Sequence, residues 1–133
     1  MSTINIGAAT IDDVVTKNDI AIIDWWADWC GPCKAFAPTF EAASEKHKDI
    51  VFAKIDTDVE RDLSAAAGIQ SIPTLMIFRE GSLVYRESGS LMPDNFERLI
   101  EAVRNLDMDE VRKEQAEAKE IMRKQKEAEQ GNA

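Results

Sequence analysis

Cys30 and Cys33 are the only cysteines of a 133-residue chain, and they stand three residues apart. A pair this close cannot staple distant parts of a fold, because the loop it closes removes little unfolded-state entropy. Its use must lie in its chemistry. If the segment from Cys30 opens a helix, the i, i+3 spacing lets the two sulfurs meet with acceptable disulfide geometry. Pro32 is tolerated in such a first turn, whose amides have no intrahelical partner. Cys30 then lies at the positive end of the helix dipole, where orphan N–H groups favour its thiolate. Cys33, one turn inward, is expected to be more buried and less reactive. The chemistry that follows is dithiol–disulfide exchange: the Cys30 thiolate attacks a partner's disulfide, and Cys33 then displaces the partner and leaves Cys30–Cys33 oxidised.

Two other uses of a Cys-X-X-Cys pair stand beside this one. It is half of a zinc site, but zinc requires four ligands, and the only histidine, His47, is some fourteen residues on inside a helical pattern. Only a dimer sharing two cysteine pairs would supply a site, so no metal is expected. Two unreactive buried thiols are the other possibility, which Gly-Pro at a strand-to-helix turn disfavours. His47 reads as an exposed helix residue and takes no role.

The elements that must hold the pair follow from periodicity. Ile20 to Trp26 (IAIIDWW) is nearly continuous apolar sequence, as in a strand buried on both faces. Asp24 interrupts it, on the strand face of Ile20, Ile22 and Trp26. Trp25 and Trp26 read as packing residues. From Cys30 to Lys48 the spacing of Phe36, Phe40, Ala43 and His47 predicts a helix, kinked by Pro38. Strands are expected at Thr3 to Ile6, Ile50 to Ile55, Thr74 to Phe78 and Leu83 to Arg86, the last two joined as a hairpin around Glu80 and Gly81. Helices are expected from Thr10, over Val59 to Ala67 with Gly68 as cap, and from Pro93 with Phe96, Leu99, Ile100, Val103 and Leu106 on one side. The order β-α-β-α-β-α-β-β-α implies an α/β sandwich, a mixed sheet with helices on both faces.

Beyond Leu106 the composition changes. Asp107 to Ala133 carries eight acids and six bases and has no aromatic residue, leucine or proline. Asp107 with Glu110 resembles a capping box. The expectation is a domain over 1–106 and a solvated charged helix over 107–133 that frays before Gly131. The whole chain has 16 basic and 25 acidic residues, a net charge of −9. That argues against nucleic acid as partner, which needs a basic face, and against an anionic membrane surface. The longest uncharged stretch, Leu63 to Phe78, contains Gly68, Gln70 and Pro73 and falls short of a span. The N-terminus has no basic start or apolar core, so the expected compartment is the cytoplasm, where thiols stay reduced.

Trp29-Cys30-Gly31-Pro32-Cys33-Lys34 resembles the active-site motif of the thioredoxin family. So do its surroundings, DWWADWCGPCKAFAP, with Asp24 five residues before Trp29, the segment Ile72-Pro73-Thr74, and Gly89 after the last strand. The resemblance covers about residues 3 to 106 and implies a thioredoxin fold. It implies Cys30 as attacking thiol and Cys33 as resolving thiol, joined as a redox disulfide. Asp24 corresponds to the family's buried carboxylate; burial without a cation raises such a group, which suits it to accept the Cys33 proton. Lys54 corresponds to the lysine near that carboxylate and either tunes Asp24 or is a solvated strand lysine. Ile72-Pro73 resembles the family's cis-proline loop, where the Ile72 backbone can pair with a substrate peptide as an added strand. Trp29, Gly31, Pro32, Ile72, Pro73 and Gly89 would form a flat, weakly apolar substrate patch around Cys30. Trp25, Ser71 and Ser88 depart from the family's usual residues, and the two serines bear on partner preference.

The implied activity is reduction of protein disulfides with no bound cofactor, recharged by an NADPH-dependent flavoprotein, thioredoxin reductase. Implied clients are peroxiredoxins, methionine sulfoxide reductases and ribonucleotide reductase, with the protein a monomer. A disulfide oxidase or isomerase on the same fold, or a non-catalytic binding module, are the competing readings.

Overall fold

The structure, a computed structural model, describes residues 2–131. The chain runs β1 (Thr3–Asn5), α1 (Ile11–Thr16), β2 (Ile20–Trp26), α2 (Gly31–Lys46), β3 (Val51–Asp56), α3 (Arg61–Ala66), β4 (Thr74–Arg79), β5 (Ser82–Ser88), α4 (Pro93–Arg104) and α5 (Met108–Gly131). An apolar run has one comfortable place in a sheet, the centre, and β2 takes it in the order β1-β3-β2-β4-β5. β1, β3 and β2 are parallel, while β4 and β5 pair antiparallel, so the sheet is mixed.

Alternation along β2 divides the interior into two cores. Ile20 and Ile22 join Phe36, Phe40, Phe52 and Phe96 on the side of α2 and α4. Ala21, Ile23 and Trp25 join Ala53, Ile55 and Met76 on the side of α1 and α3. Phe96 of α4 meets Phe36 edge-on at 5.3 Å and Phe40 stacked at 6.1 Å, so α4 is locked onto α2, the helix that carries the cysteines. Truncating such a ring to alanine costs about 3–5 kcal/mol.

Several boundaries shift for local reasons. α3 begins at Arg61, not Val59, because Asp56 Oδ1 accepts from the amides of Asp58 and Val59 and holds them in a turn. Its end is the expected glycine: Gly68, at φ +68°, donates to Ala65 while Ile69 donates to Ser64. α2 is continuous through Pro38 and stops at Lys46. His47 is therefore a helix C-cap, not an exposed helix residue: its ring is half-buried, with Nε2 2.8 Å from Glu97 and Nδ1 3.1 Å from Arg104. The β4–β5 hairpin turns on Glu80 and Gly81, both at positive φ. α4 ends at Arg104, so Leu106 lies beyond it.

α5 runs on to Gly131, past the expected fraying point, helped by helix-favouring residues and by Arg123 pairing with Glu120 and Glu127. Its first turns are not simply solvated. Met108 is buried, Arg112 pairs with Glu80 at 3.2 Å, and Gln115 donates to the Leu83 carbonyl at 3.1 Å. From Gln115 to Gly131 every residue is exposed. Among the described residues no helix is long and apolar enough to cross a membrane.

Candidate active site

The cysteines sit where β2 ends and α2 begins. Cys30 is extended (φ −87°, ψ 112°) and is the N-cap of α2, with Gly31 and Pro32 as the first helical residues. Its Sγ accepts the Cys33 amide at 3.2 Å, the place usually taken by an aspartate or serine oxygen. A thiolate there receives a hydrogen bond and faces the positive end of the helix. The two sulfurs are bonded to each other, with Cα atoms 5.2 Å apart. Burial does not distinguish them as the spacing had suggested: both residues are 3% exposed. Cys30 is also covered, because its sulfur lies 3.6 Å from the Ile72 carbonyl oxygen on the loop opposite. What separates the two is position along the helix.

That loop contains the Ile72–Pro73 bond, which is cis. Pro73 is fully buried, and its carbonyl accepts the Gly89 amide at 2.8 Å. Gly89, at φ +110°, occupies backbone space that other residues rarely enter. Between the loop and the head of α2 is a cleft of about 430 Å³. Trp29, Cys30, Gly31 and Pro32 line one part of it, and residues 69–72 with Thr57 line another. The surface is thus grooved, not flat, and Pro73 and Gly89 are not among its walls. Trp29 is 70% exposed, and its Nε1 donates to Asp58 Oδ2 at 3.0 Å.

Asp24 is 1% exposed, and neither carboxyl oxygen has a hydrogen-bond partner among the described residues. In register it stands between Lys54 of β3 and Leu75 of β4. Burial pushes its carboxyl up to about 7, against the downward pull of the Lys54 ammonium. No ion pair joins the two, and Lys54 Nζ lies 4.6 Å over the Trp26 ring. Trp26 is accordingly only half-buried, unlike Trp25. Among the described residues no group of three or more His, Cys, Asp or Glu side chains is placed to hold a metal.

The structure brings Trp29, Cys30, Gly31, Pro32 and Ile72 to one cleft and leaves Asp24 and Lys54 on the sheet. Sequence reasoning missed Asp58, Thr57 and the wall formed by Ile69 and Gln70. Asp58 reaches Trp29 because β2 and β3 pair in parallel with Trp26 opposite Asp56, so the residues just past each strand end emerge together, a register no local sequence pattern signals.

The thioredoxin family model matches residues 2–102. The chain is 47% identical over 116 residues to "Putative thioredoxin 2" of Streptomyces coelicolor, covering 87% of each chain. That span is too long for residues 1–106 and so runs into α5. A thioredoxin of Borreliella burgdorferi is 44% identical over 81 residues, 60% of this chain and 69% of that one. Among solved structures, a mutant thioredoxin of Halobacterium salinarum superimposes with a TM-score of 0.73 at 35% identity, covering 79% of this chain and 93% of the other.

Proposed function

This chain belongs to the thioredoxin family and is a thioredoxin-type disulfide reductase with a Cys-X-X-Cys active site; from that premise we propose that Cys30 is its attacking thiol and Cys33 its resolving thiol. The observation that carries the assignment is the Cys30 sulfur in the N-cap position of α2, accepting the Cys33 amide at the edge of an open cleft. The same hydrogen bond and helix terminus that hold the sulfur here stabilise its thiolate once reduced.

In the reaction the Cys30 thiolate attacks one sulfur of a client disulfide. The client S–S bond breaks, a mixed disulfide forms, and the departing client thiolate takes up a proton. Cys33 then loses its proton and attacks Cys30 Sγ, which breaks the mixed disulfide and frees the second client thiol. Two electrons have passed to the client, its two thiolates take up protons from water, and Cys30–Cys33 is left as the disulfide. Asp24, with its carboxyl raised to about 7 by burial, receives the Cys33 proton directly or through a water, and Lys54 limits how far that carboxyl rises. The client backbone pairs with Ile72 as an added strand, across from Trp29, Gly31 and Pro32. Pro73 and Gly89 shape that loop from behind through the Gly89–Pro73 hydrogen bond.

The dithiol is the redox group. We assign its recharging to an NADPH-dependent flavoprotein reductase, and its clients to disulfide-forming enzymes such as peroxiredoxins, methionine sulfoxide reductases and ribonucleotide reductase. The protein acts as a cytoplasmic monomer. Insulin-disulfide reduction by dithiothreitol is the test. Cys30→Ser should fall to the rate of dithiothreitol alone, and Cys33→Ser should trap mixed disulfide. Equal rates for wild type and Cys30→Ser would overturn the assignment.

A further inference from the structure

Beside the cis-proline loop three hydroxyls form a hydrogen-bonded chain, and one arrangement of their protons satisfies every contact. Thr74 Oγ1 lies 2.5 Å from the Ser71 carbonyl, which can only accept, so the Thr74 proton is committed there. Thr74 Oγ1 is also 3.2 Å from Ser88 Oγ, so Ser88 must be the donor of that bond. Ser88 then has no proton left for Ser71, 2.9 Å away, and Ser71 donates to Ser88. Thr74 is buried, whereas Ser71 and Ser88 are exposed, and Ser71 forms part of the wall of the active-site cleft. Every hydroxyl proton is used inside the cluster. In that arrangement what is left for a client are lone pairs: two on Ser71 Oγ and one on Ser88 Oγ.

We propose that Ser71 and Ser88, held by Thr74, form an acceptor-only subsite that selects clients with a hydrogen-bond-donating side chain beside the target disulfide. The inference rests on the docking of the client along Ile72, since Ser71 is the neighbouring residue on that loop. An apolar side chain there would leave the lone pairs desolvated and unmatched, and a carboxylate would oppose them. A lysine-type donor satisfies them, and the net charge of −9 draws it in from a distance.

The test uses the pre-reduced full chain and three cystine peptides that differ at one flanking residue: lysine, norleucine (the lysine side chain without its amino group), or glutamate. Single-turnover rates are measured at 0.5 M salt, where long-range attraction is screened and direct contacts persist. Wild type should reduce the lysine peptide about ten-fold faster than the norleucine peptide. Ser71→Ala should bring that ratio to about two or below. Ser88→Ala should do something a merely structural residue would not: with its acceptor gone, the Ser71 hydroxyl turns outward as a donor. The glutamate-to-norleucine ratio should then rise roughly five-fold. Equal wild-type rates for lysine and norleucine, or an unchanged glutamate ratio in Ser88→Ala, would overturn the proposal while leaving the roles of Cys30 and Cys33 standing. A reduced protein that reduces none of the peptides would overturn those roles and this subsite together.

Discussion

Two of the junctions at which a helix terminus meets the sheet treat their polar groups in opposite ways. At the start of α2 the capping atom is a reactive sulfur, and the nearby strand carries a buried carboxyl with no hydrogen-bond partner among the described residues. At the end of α4 the exposed carbonyls are gathered up. Arg79 Nη1 lies 2.9 to 3.0 Å from the carbonyls of Val103, Arg104 and Leu106. Asp107 Oδ1 then accepts from the amides of Asp109 and Glu110 at 3.1 and 3.3 Å, one half of the capping box, and opens α5. The difference separates reactivity from attachment. The first junction keeps polar capacity in reserve, at a cost in stability, and the second spends its capacity on holding the fold.

The sharpest way to break this contrast is to remove the reserve. Asp24 has an unfolded-state value near 3.8 and a folded value of about 7, so between those limits the folded protein holds a proton that the unfolded chain has released. Stability from this group is therefore complete at low pH and is lost as pH rises through 7. The roughly three-unit difference corresponds to about 4 kcal/mol. Asp24→Asn should be more stable than wild type by about that much at pH 8, and should show little gain at pH 4. Urea midpoints across pH would show it. Meanwhile the inflection near pH 7 in the rate of mixed-disulfide resolution should disappear. A gain that did not depend on pH would mean that ionisation is not the source of the cost.

The second junction should respond in the reverse sense. Arg79→Met leaves the α4 carbonyls without their charged donor and should lower stability by roughly 3 kcal/mol. Insulin reduction per folded molecule should be unchanged, because Arg79 touches none of the groups around the cleft. If Arg79→Met altered the pH profile of resolution, the two junctions would be coupled and the contrast would fail.

Much of this is legible in the sequence. The apolar run of β2, the spacing along α4 and the turn at Glu80–Gly81 are local patterns, and local patterns specify elements. The cysteine pair carried its own chemistry, since type, spacing and the following helix are all contained in six residues. What stayed hidden depends on which residues from distant segments emerge side by side. Arg79 reads as the charged end of a strand until the end of α4 is laid against it. Asp58 reads as a loop acid until Trp29 emerges beside it. Ser71 and Ser88 were visible as departures, but their shared proton chain exists only because Thr74 and Ser88 pair across β4 and β5. Met108 reads as one apolar residue in a charged tail, because composition does not reveal that the first two turns of a helix are docked and the next four are not.

That last point yields the smallest effect and a boundary. A chain ending at Leu106 loses the burial of Met108, roughly 2 kcal/mol for a fully buried side chain, together with the Asp109 and Glu110 amides that Asp107 caps. A chain ending at Gln115 keeps Met108, the Arg112–Glu80 pair and the Gln115–Leu83 hydrogen bond, and gives up only exposed helix. Exposed ion pairs such as those of Arg123 contribute little. The expected order is full length and 1–115 within about 0.5 kcal/mol of each other, with 1–106 about 2 kcal/mol below. All three should reduce insulin at one rate per folded molecule. Equal stability of 1–106 and 1–115 would place the end of the folded unit at Leu106, where the composition changes. A drop confined to loss of residues 116–131 would shift the attachment into the exposed helix, and the second junction would no longer be what holds α5.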